Sequence, residues 1–201
     1  MSNDEASQFV SQLQQAHYIA ASFYQRILPH FDYLAYQSME ADFWYWEPSE
    51  TSRPCRSTTR PSDSWAWDYL PLFASNHVYR NWGGDTAQKN DTTLAFRLYI
   101  DDEFLCGNTQ KQPDPLKLKG KAMAEIILFR CQGNSDKHFN ELWLNIPWPA
   151  HNPEWQQSEV CDLLEVCAKH VPLADLLADS EIIIQWIKLM LGKLPILAPS
   201  K

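Results

Sequence analysis

The amino-acid sequence predicts an α+β domain: a long N-terminal helix, a mostly antiparallel curved sheet, and two or three C-terminal helices packed on it. Three observations carry this expectation. Apolar residues recur at helical spacing near the N-terminus, alternating segments fill the middle of the chain, and helix signals return after residue 149. The 201 residues contain no internal repeat or low-complexity tract, and their number suits one domain spanning 1–201.

The first helix is read from Phe9, Leu13, Ala16, Ala20, Phe23 and Ile27, which recur at alternating steps of four and three as one apolar stripe. Pro29 is expected to end it. Met39, Ala41, Phe43 and Tyr45 then alternate with Glu40, Asp42, Trp44 and Trp46, the period of a strand. One face of that strand is apolar, and the other pairs two carboxylates with two indoles.

Residues 47–63, rich in Pro, Ser, Thr and Arg, read as a long loop in which Arg53, Arg56 and Arg60 offer a forked anion site. Ser64 to Tyr69 repeats the Trp-x-Trp alternation, and in an extended chain Trp65, Trp67 and Tyr69 share a side, with Pro71 confining the segment to an edge or an end. If the two strands are neighbours, Trp44, Trp46, Trp65 and Trp67 form an aromatic wall with Glu40, Asp42 and Asp68 nearby. Such a wall stacks a flat or cationic ligand or receives an apolar partner; the competing reading is that the indoles fill the space under the helices.

Thr93 to Ile100 is the cleanest strand, with Leu94, Phe96, Leu98 and Ile100 inward and Thr93, Ala95, Arg97 and Tyr99 outward. After a polar loop from Gly107 to Gly120, residues 122–130 and 139–146 read as a hairpin around Gln132-Gly133-Asn134-Ser135. Asn152 as a cap and Pro153 in the first turn open a predicted helix that buries Val160, Leu163, Leu164 and Cys167 and stops at Pro172. A last helix, about 180–191, is apolar on most sides, so it is buried in its own domain or forms a homodimer contact.

The net charge of −8 is spread over both halves, with 7 basic and 11 acidic side chains in residues 1–100 and 10 and 14 in residues 101–201. No half is basic, which disfavours nucleic acid and anionic membranes as partners. Five cysteines, Cys55, Cys106, Cys131, Cys161 and Cys167, lack any C-x-x-C pair and read as reduced thiols. With the polar, acidic start MSNDEASQFVSQ, they point to the cytoplasm. No phosphate-binding glycine loop, G-x-S-x-G elbow, H-E-x-x-H helix or EF-hand loop is present.

The six histidines lack metal-ligand spacing, although His77 lies between two aromatic segments. Asp101, Asp102 and Glu103 with Glu125 resemble a nuclease acid cluster, but Ile127 stands where a basic residue belongs; a solvated strand end explains the acids better. Lys117, Lys119 and Lys121 alternate as on a protected edge. The reading is a non-enzymatic cytoplasmic binding or interaction protein without metal or cofactor, using an aromatic-lined pocket or sheet face. Its ligand-binding candidates are Trp44, Trp46, Trp65, Trp67, Arg53 and Arg56, and its partner is a protein or a small aromatic or cationic ligand. The alternative is a small-molecule enzyme or metal-dependent hydrolase built from scattered His and carboxylate residues.

Overall fold

A computed structural model describes residues 2–51, 57–58, 60–63, 65–103, 114, 117–144 and 146–192. The fold is α+β. Helix α1 (Asn3–Met39) leads into strands β1 (Asp42–Pro48), β2 (Ala74–Arg80), β3 (Thr92–Tyr99) and β4 (Met123–Cys131). A short helix α2 (Phe139–Trp143) follows, then β5 (Asn152–Gln157), β6 (Leu164–Pro172), α3 (Leu173–Ala178) and α4 (Glu181–Met190). The six strands form one antiparallel sheet in the order β1-β2-β3-β4-β6-β5.

Both faces of this sheet are covered. On the first, Leu94, Phe96 and Leu98 of β3 and Ile126 and Leu128 of β4 meet Ile27, Phe31 and Leu34 of α1 and Ile183, Ile184 and Ile187 of α4. Phe31 stacks on Phe96 with ring centroids 4.6 Å apart. On the second, Val78, Ala95, Ile127 and Phe129 pack with Trp82 and with Phe139, Leu142 and Trp143 of α2. The residues of β3 predicted to face outward are therefore buried, and every position from Thr92 to Tyr99 is shielded from water.

Helix α1 corrects its predicted end. It runs ten residues past Pro29 and stops at Glu40, whose left-handed φ of 56° turns its N–H back onto the carbonyls of Ala35 and Tyr36. Proline removes one helical hydrogen bond and crowds the preceding turn. The flanking residues Ile27, Phe31, Leu34 and Ala35 are each fully buried, and their packing holds the helix through that defect.

Three other segments differ from expectation. Phe139 to Trp143 is a helical turn, its start fixed by the Glu141 carboxylate accepting the His138 N–H, so the predicted hairpin does not form and β4 pairs with β6. The predicted helix after Asn152 is the antiparallel pair β5 and β6; Leu164, Val166 and Ala168 lie on the second face while Cys167 and Val171 lie on the first. Strand β2, with polar Ser75, Asn76 and His77 inside it, was not anticipated at all. The last helix bears out its predicted position and buries Ile183, Ile184 and Ile187 in its own domain. Among the described residues no helix is long and apolar enough to cross a membrane.

Replacing Pro29 by Ala restores the missing hydrogen bond on an exposed surface, and should raise the unfolding free energy by up to about 3 kcal/mol. Urea denaturation of the two proteins measures this directly; an unchanged midpoint would mean that the proline costs the helix nothing.

Candidate functional site

The edge strand β1 sorts its aromatics by a β-bulge between Phe43 and Tyr45. An unbroken strand would place Trp44 and Trp46 on one face. Phe43 instead lies opposite Tyr79, Tyr45 opposite Val78 and Trp46 opposite His77, so the side-chain alternation slips at the bulge. Trp44 then packs on the second face, edge-on to Trp82 at 5.4 Å and to Trp143 at 6.0 Å. Trp46 remains on the first face, 41% exposed.

Between that part of β1, the neighbouring β2 and the second half of α1 lies a cleft of about 640 Å³. Tyr36, Phe43, Trp46 and Tyr79 supply aromatic walls, Leu28, Ala41 and Leu72 apolar ones, and Asp32, Asp42 and His77 the remaining polar groups. The Tyr79 hydroxyl donates to Asp32 Oδ1 at 2.6 Å, which fixes that carboxylate at the cleft wall. Burial, with the Asp32 hydrogen bond adding to it, holds the Tyr79 hydroxyl far above its ordinary pKa.

His77 is buried beneath Trp46, their rings nearly parallel at 6.4 Å. Burial draws its pKa down to about 4 against the smaller opposing pull of Asp32, so at neutral pH the imidazole is uncharged. Its Nε2 is 3.0 Å from Ser75 Oγ, and because Ser75 is completely buried the pair presents no nucleophile to a substrate. The cleft thus has an apolar aromatic body, two aspartates and, among its lining residues, neither lysine nor arginine.

The second face carries a polar row across five strands. Register places Glu47, Asn76, Arg97, Glu125 and His170 side by side on β1, β2, β3, β4 and β6. Arg97 Nη1 donates to Glu125 Oε2 at 2.7 Å, and Trp148 covers the guanidinium at 4.6 Å. His170 Nε2 lies 3.3 Å from the other Glu125 oxygen. Burial lowers the His170 pKa; Glu125 pulls it up, while His151 and Arg97 push the same way as burial. Asn76 Oδ1, Arg97 Nε and Thr51 Oγ1 make no hydrogen bond within the protein. The buried ion pair at the centre of the row, closed over by Trp148, reads as structural.

The indole wall predicted from the sequence does not assemble. Trp46 lines the cleft, Trp44 is on the opposite face, and the Trp65 segment is not extended: Ala66–Tyr69 forms a 3-10 turn. Trp67 is buried against Phe73 at 4.6 Å and Trp65 lies outside the cleft lining. Arg53 and Arg56 lie outside the described residues. The carboxylates of Asp101, Asp102 and Glu103 accept the backbone N–H groups of Gly120, Lys121 and Lys119 and so tie down a loop, while Glu125 is committed to Arg97. Among the described residues no group of three or more His, Cys, Asp or Glu side chains is arranged to hold a metal ion. Asp32, Tyr36 and Tyr79 were missed as site residues. Asp32 and Tyr36 share a helix face, a signal hidden by placing the helix end at Pro29.

Two predictions follow from these groups. Arg97 and Glu125 have side chains only 11% and 12% exposed, so Glu125→Ala, which strands the guanidinium, should cost about 3–5 kcal/mol. The double variant Arg97→Met, Glu125→Leu should recover most of that in urea denaturation; equal losses would show that the charge pair is not the cause. For His77, the unfolded chain takes up a proton near pH 6.5 and the folded chain only near 4. Its contribution is full above 6.5 and lost as pH falls between those values, by about 3 kcal/mol at most. A His77→Gln variant should show a flatter stability curve across that window, and a curve of unchanged slope would remove His77 as its source.

No curated protein and no solved structure matches this chain. One family model covers residues 3–188, and on that match the chain belongs to the PM0109 family.

Proposed function

We propose that the protein is a non-enzymatic cytoplasmic binding protein whose cleft between α1 and the β1–β2 edge takes a small ligand with a flat apolar body and a cationic group. The observation that carries this reading is the charge of an otherwise apolar site. Asp32 and Asp42 are the charged groups among the lining residues, and burial keeps His77 neutral. A cation placed there gains the Asp32 carboxylate, which the Tyr79 hydroxyl holds in place, together with the faces of Trp46, Phe43 and Tyr36. An anion meets repulsion, and the described lining residues include no guanidinium or ammonium to offset it.

The volume supports a small molecule, since pockets for such ligands span about 300–1,000 Å³. The acidic surface and the even spread of basic residues speak against nucleic acid as the ligand.

Benzyltrimethylammonium and its uncharged counterpart benzyl alcohol are suitable probes. Isothermal titration calorimetry should give saturable binding of the cation and much weaker binding of the alcohol. Trp46→Ala and Asp32→Asn, both at exposed positions, should each weaken the cation roughly 2- to 30-fold without loss of the folded state. Equal binding of both probes, or no effect of either substitution, would contradict the reading.

A further inference from the structure

The first half of α1 is a helix without a partner. Every residue from 7 to 22 is exposed, among them Phe9 at 61%, Leu13 at 47% and Ile19 at 65%. Solvated helices carry charge on their outer faces, yet no Lys, Arg, Asp or Glu occurs between Glu5 and Arg26. Phe9, Leu13, Ala16, Ala20, Phe23 and Ile27 follow the alternating four-and-three spacing of a coiled-coil seam. The stripe lies on the same side of the helix as Ile27, Phe31 and Leu34, which pack into the domain core, so the uncovered stretch continues a face already adapted to burial.

We propose that this half of α1 pairs antiparallel with the same segment of a second copy, making the protein a homodimer through its N-terminal helix. The seam is self-complementary in that direction: Leu13 meets Phe23 and Ala16 meets Ala20, large against large and small against small, with Phe9 reaching the partner's domain edge. The domain sits on this same side of α1 from Ile27 onward, so parallel pairing would bring the two domains into one space, whereas antiparallel pairing sets them at opposite ends.

Area permits the pair. In that register residues 10–26 of the two helices overlap over about 25 Å, and burying half of a cylinder of about 10 Å diameter on both copies removes about 800 Å², the size of a weak, transient interface. The dimer is therefore concentration-dependent rather than obligate. It also accounts for the helix itself, because an isolated stretch of this length with Phe, Tyr, Val and Ile in it is marginal in water. The inference is independent of the ligand proposed for the cleft, and it assigns self-association to α1 rather than to the C-terminal helix.

Sedimentation velocity over a range of concentrations tests it on the full chain. A reversible monomer–dimer equilibrium is expected. Leu13→Glu, at a position that touches nothing in the domain core, should shift that equilibrium toward monomer at least roughly a hundredfold, since two copies of the residue leave the seam. For direction, oxidation of the double variant Ala16→Cys, Ala20→Cys should cross-link the dimer beyond the level of the unsubstituted chain, while Ala16→Cys alone should not. A monomer at every concentration, or a dimer unmoved by Leu13→Glu, would overturn the proposal. Cross-linking by Ala16→Cys alone would overturn the antiparallel arrangement.

Discussion

Burial of the sheet on both faces is the constraint on which the rest of the structure depends. β3 and β4 occupy the middle of the sheet with helices α1 and α4 on one side and α2 with its flanking chain on the other. Polar side chains on such strands have no water to turn to, so they must find partners along the register. Arg97 finds Glu125 on the next strand, and Asn76 reaches Glu47 at 3.5 Å across the β1–β2 pair. Trp148 closes over the guanidinium. The row makes energetic sense only beneath that cover, where breaking one partner costs far more than the pair itself contributes.

The same constraint bears on the edge. β1 is both a sheet edge and a neighbour of α1, and its bulge divides its aromatics between the two layers. Trp44 and Tyr45 complete the second core, while Phe43 and Trp46 are left at the mouth of the cleft. One local irregularity thus gives the domain both a packed second face and an open aromatic cleft. Helix α1 plays two parts in turn, with its second half roofing the core and walling the cleft and its first half extending beyond both.

Much of this was legible in the sequence. The class, the long first helix, the strand around Leu94 to Leu98 and the last helix all follow from periodicity. What was not legible shares a cause. A strand buried on both faces loses its apolar–polar alternation, so β2 with Ser75, Asn76 and His77 did not read as a strand. In β6, Leu164 and Cys167 are three residues apart, which satisfies a helical spacing as well as a two-sided strand. Pro29 was read by its local cost, and tertiary packing outweighed it. Trp46 was legible as a candidate because four aromatics in a row are visible in one dimension; its separation from Trp44 rests on a bulge, which a period of two does not anticipate.

The most direct measurement is a two-dimensional proton–nitrogen spectrum of the tryptophan indole N–H groups, assigned by single substitution and recorded as benzyltrimethylammonium is added. The Trp46 resonance should move in a saturable way while those of Trp44, Trp82 and Trp143, packed together in the opposite layer, stay in place. Movement of the Trp44 resonance without that of Trp46 would contradict both the sorting of aromatics by the bulge and the cleft as the site of binding.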